Sequence, residues 1–597
     1  MDRQFQLASA SAIVFACLFV YVDQLGFYFT DVDSFSLIAT SRFHSFDEFL
    51  SIFTSPMMKG QLPNALFWRP LSSVTWGIDE LIWGLNPLGY HLTDLVIHIV
   101  NCLLLFTLVR KTARWQSRNE TGDPSEGGLA RGDVEALVVA LLFAIHPIAV
   151  ESVSAIARRP DLLFGTFSLL ALNATQRYLE FEKTRGIAVI ALCCVLGLAS
   201  KDSAVITLAL IGAFVFCFAE STTFKDRLLI CVRVCIGPLV AVALYIGLRA
   251  LVLDGLGGYE SAFGLDFGSV VKTSLFVFLS AFAVPGHLDF VGPNRAPLLL
   301  VFAVLLGATC AVRLLKEWAG PQARRVAFAT LCVALFFALY MVTRTAALTR
   351  TIYSLLPFFC MLVGWGLVDT IALVREFGAR SRDASVATLT ARVVLGTVWI
   401  GLVALVLQAT WRGTYVEEWR GMGELTRDVV DSLENSIHRV AAGSVVYTIN
   451  LPFKVSDPAP RLRDHPIVTD YSLQGWADLA HPEKQLYIVG LTKLRIFLDD
   501  PADLESQISY DPIRSRIDIQ IGSEGSVEAF WQQKRWGRMH PVRDVTDEAA
   551  RKEGRLSVEL LPVAYDRKPI AFWVYAGDEV TVQKNQAWTV AHRPVNH

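Results

Sequence analysis

Charge is what this chain has least of. Only 18% of its 597 residues are charged while 53% are hydrophobic, and the mean hydropathy is +0.42. A soluble globule carries about 25% charged residues, so that class is excluded and an integral membrane protein is expected. Cysteine is missing beyond Cys360: all 10 cysteines fall between Cys17 and Cys360, inside or beside apolar runs. That distribution argues against a disulfide framework and against a cysteine zinc site. A basic excess is missing too, the net charge being -2, and nucleic acid is not an expected partner. From about 413 onward no internal repeat is found, in particular no helical period of about 34 residues. The first apolar run, Leu7 to Phe29, follows one basic residue, Arg3, and lacks a small-residue cleavage pattern. A retained first helix is therefore expected rather than a cleaved signal.

What is abundant is apolar sequence in long runs. They lie near 8–29, 91–109, 134–155, 161–180, 186–199, 203–220, 228–252, 297–315, 326–343, 352–374 and 392–411, predicting about eleven transmembrane helices. Basic clusters punctuate them: Arg110, Lys111, Arg114, Arg118 and Arg131 in one loop, then Lys183 and Arg185, Lys225 and Arg227, Lys316 with Arg324 and Arg325, and Arg375 with Arg380 and Arg382. The positive-inside rule assigns all of these to the cytoplasm. The alternation holds only if 269–284 is interfacial or re-entrant within a long outer loop, 253–296. A further short helix near 285–296 is the alternative. The N-terminus is then cytoplasmic and the C-terminal region extracytoplasmic, in a multi-pass plasma (inner) membrane protein.

Two segments stand apart from the runs. Residues 30–90 form a long outer loop in which "SFDEFLSIF" and "WRPLSSVTWGIDELIWGL" place apolar residues at helical spacing, predicting amphipathic helices on the membrane surface. From 413 the chain reads as a soluble α/β domain. An amphipathic helix, "VEEWRGMGELTRDVVDSLENSI", precedes the strand-like runs "SVVYTIN", "QLYIVGL", "SRIDIQIG", "RLSVELLPVAY" and "IAFWVYA". The expected organisation is a transmembrane catalytic domain over 1–412 and an extracytoplasmic α/β domain over 413–597. The second serves either to recognise an acceptor or to cap the first.

Ionisable residues in spanning segments cost about 2.5–3.5 kcal/mol each on an insertion scale, so they pair or line a wet cavity. Here they gather on the predicted outer side. Asp31 and Asp33 follow the first run, and Arg69 sits in the first outer loop. His91, Asp94 and His98 share one face of the second helix. His146, Glu151, Arg158, Arg159 and Asp161 surround one outer turn, and Lys201 and Asp202 occupy another. Arg249 ends a helix, and Arg344 and Arg350 bracket a further turn. Singly, such residues serve as snorkelling anchors or interhelical donors. Together, carboxylates beside several converging cations suit an anionic ligand with an acid or base next to it. The glycosylation-like Asn119-Glu-Thr and Asn173-Ala-Thr fall on the inner side or in a helix and are discounted.

Four strings carry a resemblance: "RPLSSVTWGIDELIWGLNPLGYHLTDLVIH" (69–98), "ALLFAIHPIAVESVSAIARRPDLL" (140–163), "LASKDSA" (198–204) and "LTRTIYSLLP" (348–357). Over roughly the first 370 residues the chain resembles the GT-C membrane glycosyltransferases. The similarity is to the branch of the protein O-mannosyltransferases and the transmembrane tetratricopeptide-repeat mannosyltransferases, without the repeats. The resemblance implies an isoprenyl-phosphate monosaccharide as donor, a catalytic acidic residue in the first outer loop and inversion at the anomeric carbon. Relatives carry two adjacent acidic residues where this chain has Asp31-Val-Asp33, so either aspartate can be the base. The pair also has the form that binds a divalent metal in some relatives, although no cofactor is expected to be required.

The chemistry fits these residues. A carboxylate at Asp31 or Asp33 would take the proton of an acceptor hydroxyl, a contribution of about 10²–10⁴ in rate. Cations must meet the charge growing on a leaving phosphate, and Arg69, Lys201 and Arg350 are the first candidates, with Arg159 and the histidines His91 and His146 in second rank. Asp94 and Glu151 would orient those histidines or bind sugar hydroxyls; at Asp94 relatives tend to have Asn. The expected partners are the bilayer, an isoprenyl-phosphate-linked monosaccharide, and a glycan, lipid or protein hydroxyl acceptor. A transporter or flippase of a lipid-linked sugar, or a non-catalytic membrane scaffold, are the competing classes. A transporter would show charges in mid-helix and two related halves, and neither is found.

Overall fold

The computed structural model describes residues 2–259 except 61–64, 122–130, 147, 183–184, 221–222 and 256, then 268, 320–380 except 344–348, 414–490 except 450 and 452–467, and short pieces between 494 and 574. The expected spans at 297–315 and 392–411 and the expected re-entrant segment at 269–284 lie outside the described residues. The chain divides into two compact units. The first comprises Met1–Gly26, Trp68–Ser72 and Gly89–Val416; the second comprises Phe27–Phe67, Ser73–Leu88 and Glu417–His597.

The first unit is α-helical membrane protein. Helices run over Asp2–Tyr21, Pro87–Thr121, Arg131–Ala144, Arg159–Phe181, Arg185–Ser200, Thr207–Phe218, Phe224–Leu253, Pro321–Thr343 and Leu356–Arg380, following the apolar runs. Among the described residues, four helical stretches are long and apolar enough to cross a bilayer: Asp2–Gly26, Pro87–Ser117, Phe224–Leu253 and Pro321–Thr343. Phe224–Leu253 shows the inverted patterning of a lipid-facing helix. It buries a stripe of Val234, Pro238, Val242, Tyr245 and Arg249 while Leu229, Ile236, Leu244 and Leu251 are more than half exposed. An apolar face of that size in water would drive aggregation. Lipid removes the penalty.

Three boundaries differ from the runs. The first helix gives way at Tyr21 to a 3-10 turn, Val22–Gly26, where Asp23 and Gly26 weaken the α-helix. The run 134–155 is not one span: the helix stops at Ala144 and a short helix, Ala149–Ser154, follows. The interruption includes His146, which precedes a proline in the sequence, and proline disfavours α geometry in the residue before it. Finally, Arg110, Lys111, Arg114 and Arg118 lie within Pro87–Thr121 rather than in a loop. Arg110 and Arg114 donate to Asp133, at 2.8 Å each, so the helix continues while these two cations stay paired.

Close helix packing uses small residues. Arg131–Ala144 packs on Leu356–Arg380, where a Cβ on Gly364 would stand 2.6 Å from a Val139 methyl. Gly165 likewise lets Tyr353 approach, its ring 3.2 Å from the position of a Cβ. Small residues that admit a neighbour closely are the usual glue of membrane bundles.

The second unit joins the segment after the first helix to the C-terminal part of the chain. Both segments predicted as amphipathic helices are helical, Phe46–Thr54 and Pro70–Trp83. The first is started by Ser45, which accepts from Glu48 N, while Glu48 accepts from His44 N. The helix Thr414–Ile437 forms where expected, and the five strand-like runs all contribute strands. Ile570–Val574, Val445–Ile449 and Tyr487–Gly490 make a parallel sheet in that order. The helix Asp470–Ala480, opened by a capping box at Thr469 and Ser472, connects the last two. Ile508–Asp511, Arg516–Gln520, Arg555–Leu560 and Val542–Asp544 form an antiparallel sheet in that order.

Asp470–Ala480 also packs on the helix Ser34–Ser41. Gly475 makes the approach close: a Cβ there would lie 2.5 Å from Ser36 N. Ser36 Oγ donates to Tyr471 O at 2.7 Å and Arg42 Nη1 to Asp478 O at 2.9 Å. Arg420 lies over the Phe27 ring and Arg427 over the Tyr28 ring, at 5.7 and 5.1 Å. The acidic pair is therefore held by residues from the far end of the chain.

Candidate functional site

Asp31 and Asp33 belong to the second unit and have different surroundings. Asp31 is 5% exposed. Its Oδ1 accepts from Asp33 N at 3.0 Å and its Oδ2 from Ser34 Oγ at 2.8 Å, so this carboxylate closes an Asx turn just ahead of the helix Ser34–Ser41. Asp33 is half-buried, and its Oδ1 accepts a 2.7 Å hydrogen bond from the Tyr471 hydroxyl. Among the described residues Tyr471 is the one side chain bonded to the Asp33 carboxylate. Beside the pair, burial raises the Tyr28 hydroxyl above the ordinary tyrosine range, and Asp431 adds to the shift while Arg427 opposes it.

The cations proposed from sequence belong to the first unit, and most are paired there. Arg69 directs Nε and Nη2 at Asp202 Oδ2, at 3.2 and 2.9 Å. Arg249 takes the other oxygen of Asp202 and also donates to Trp68 O at 3.4 Å. Trp68 stacks on Tyr245 at 5.0 Å, fixing the short segment that presents Arg69. The neighbouring Lys201 pairs with Asp161. Three cations, Arg69, Arg249 and Lys201, thus stand with two carboxylates, Asp161 and Asp202, and none of the three is fully buried. Net positive charge in a partly wet setting suits an anion.

Other candidates are turned inward. Arg159 is completely buried, donating from Nε to Asp94 Oδ1 at 2.5 Å and from Nη2 to Tyr90 O at 3.1 Å. Sequence reasoning offered Arg159 to phosphate and Asp94 to a sugar or histidine; here they neutralise each other in the core. Glu151 is fully buried, 3.9 Å from Arg158. His146, 6% exposed, accepts from Ile148 N at 3.3 Å, and His91 is 1% exposed. Arg350 lies in the short helix Thr349–Ile352, and its side chain is outside the described atoms.

Two participants escaped the sequence-based selection. Tyr471 carries no motif and lies in a tail that matched none. Arg249 was visible as a helix-ending cation, but nothing in the pattern tied it to Asp202.

No family model matches the chain. Over 182 residues it is 28% identical to Protein O-mannosyl-transferase Tmtc3 of Drosophila melanogaster. The chain is similar in sequence to a GT-C membrane glycosyltransferase. The matching stretch is 29% of this chain and 19% of that relative, so most of the relative has no counterpart in the alignment. Among solved structures, ArnT from Cupriavidus metallidurans bound to undecaprenyl phosphate aligns with a TM-score of 0.42 and 12% identity, over 85% of this chain and 95% of that one.

Proposed function

We propose that this protein is a membrane glycosyltransferase that moves a monosaccharide from an isoprenyl-phosphate donor to a hydroxyl acceptor, with inversion at the anomeric carbon. The observation that carries the reading is Asp33, a half-buried carboxylate set by Tyr471, in a chain related in sequence to a protein O-mannosyl-transferase.

Asp33 is the better base of the two aspartates. A general base must turn a lone pair to the attacking hydroxyl, and Asp31 already uses both oxygens at the start of a helix. In the reaction the acceptor oxygen attacks the anomeric carbon from the face opposite the phosphate. Its proton passes to Asp33 as the bond from carbon to phosphate oxygen breaks. A departing phosphate needs cations to meet its charge, and within the first unit Arg69, Arg249 and Lys201 are the ones suited to an anion. Arginine suits this role because its planar fork matches phosphate oxygens. Arg159 is assigned to the core instead, and no metal-dependent step is needed. The extracytoplasmic side is assigned to the reaction on the positive-inside pattern of the loops.

The test is transfer from a polyprenyl-phosphate hexose to a glycan or Ser/Thr peptide acceptor by the purified protein in lipid, with mass spectrometry of co-purified lipids. Asp33→Asn should lose turnover while keeping its folded yield. Uptake of lipid-linked sugar in sealed vesicles that survives this substitution would instead favour a flippase.

A further inference from the structure

Two cysteines and a histidine that the proposed transfer does not use meet inside the first unit. Cys17 comes from the helix Asp2–Tyr21, and His98 and Cys102 come from one face of Pro87–Thr121, one turn apart. Cys17 Sγ and Cys102 Sγ are 3.8 Å apart, Cys102 Sγ and His98 Nε2 are 3.7 Å apart, and all three ligand atoms lie within 4.8 Å of one another. All three residues are completely buried. Cys17 sits about 22 Å along its helix, fifteen residues at about 1.5 Å each, deep in an apolar span.

Packing alone explains two thiols in contact. The imidazole adds a third donor: its Nε2 lies 3.7 Å from Cys102 Sγ and 3.4 Å from Ala144 O, to which it donates in one tautomer, while in the other its lone pair is open to the sulfurs. In a tetrahedral zinc centre, with Zn–S about 2.3 Å and Zn–N about 2.0–2.1 Å, neighbouring ligand atoms stand about 3.6–3.8 Å apart. Two of the three separations already have that value. The other ring nitrogen, Nδ1, is 2.8 Å from the Tyr353 hydroxyl, which also accepts from Asn101 Nδ2 at 3.1 Å. With Nδ1–H donating to that hydroxyl, Nε2 faces the sulfurs with its lone pair. An outer partner of this kind orients metal-binding histidines generally.

We propose that Cys17, His98 and Cys102 bind one thiophilic d10 cation, zinc(II) or copper(I), that ties the first helix to the helix Pro87–Thr121. Binding releases the two thiol protons and leaves two thiolates and a neutral imidazole on the metal. With zinc(II) the cluster carries no net charge, the state an apolar interior tolerates best, so zinc is the favoured ion. The sequence shows no zinc motif because Cys17 and Cys102 are 85 positions apart.

Elemental analysis of the full-length protein, purified in detergent without chelator and loaded with zinc(II) or copper(I), tests the site. About one equivalent of one of these metals is expected, with thiolate-to-cobalt charge-transfer absorption when cobalt(II) is substituted. Cys17→Ser combined with Cys102→Ser should lower bound metal at least tenfold. Should that variant aggregate, the single variant Cys17→Ala, eluting as a monodisperse peak, should lose the charge-transfer band. Less than a tenth of an equivalent of both metals in folded wild type, or full metal in the folded variants, overturns the proposal. The readout does not use transferase activity, so either result leaves the assignment of Asp33 where it stood.

Discussion

Tyr471 donates a 2.7 Å hydrogen bond to Oδ1 of Asp33, joining two residues 438 positions apart in the chain. The C-terminal part of the sequence is thereby built into the setting of the proposed base. Tyr471→Phe keeps the ring and removes the donor. A hydrogen bond to a charged group contributes about 1.5–3 kcal/mol, and its loss should lower turnover about tenfold or more with little change in melting temperature. Unchanged turnover in a steady-state assay would count against a positioning role for Tyr471.

The two aspartates should separate by experiment. Asp33→Asn is expected to reduce transfer by about 10²–10⁴ and to melt close to wild type. Asp31→Asn replaces an oxygen that accepts from Ser34 Oγ with a group that cannot accept, so its main effect should be on stability, about 1 kcal/mol for one hydrogen bond. Parallel thermal melts and transfer rates decide the matter; a reversed pattern would make Asp31 the base.

Gly475 permits the close approach of Asp470–Ala480 to Ser34–Ser41. In Gly475→Ala the new methyl would meet Ser36 N at 2.5 Å and Phe35 C at 2.7 Å, both backbone atoms with no rotamer to relieve the clash. Overpacking of this kind costs about 1–3 kcal/mol. Gly247→Ala, with nothing within 4 Å of the new methyl, is the control. It should melt at or slightly above the wild-type temperature.

The buried pair of Arg159 and Asp94 should behave as structure. Removing one partner strands the other charge, which typically costs about 3–5 kcal/mol. Arg159→Met and Asp94→Leu should each lose folded yield in size-exclusion chromatography. The double variant should recover much of it. Loss of anionic-lipid binding by Arg159→Met in a well-folded protein would return Arg159 to the phosphate site.

Arg69 and Arg249 share Asp202, and together with Lys201 they offer the positive charge proposed for the donor phosphate. Arg249→Ala should weaken binding of a polyprenyl phosphate about tenfold, measured by native mass spectrometry, and the weakening should be greatest at low salt. Asp202→Asn should strengthen that binding, because it lowers the negative charge facing the same two guanidinium groups.

Much of the fold was readable because its cause is local. A spanning helix needs about 20 apolar residues wherever it stands, and a strand needs a short β-rich run between turn residues. The helices over Pro87–Thr121 and Phe224–Leu253 and the strands Val445–Ile449 and Arg555–Leu560 therefore stand where the runs predict. The candidate site was readable only in composition. Nothing in the string around Arg159 says that its guanidinium turns into the core toward Asp94, because that depends on the rotation of two helices about their axes. Nor does the string around Tyr471 point to Asp33.

The sequence by itself determined that this is a membrane protein, where its helices run and which ionisable residues were available, since hydrophobic length and charge spacing act within a single segment. Only the tertiary structure decided which charges neutralise one another, which aspartate closes a local turn and which accepts from a distant tyrosine. Those outcomes depend on burial and on contacts between segments far apart in the chain, and a desolvated charge takes whatever partner the packing brings within reach.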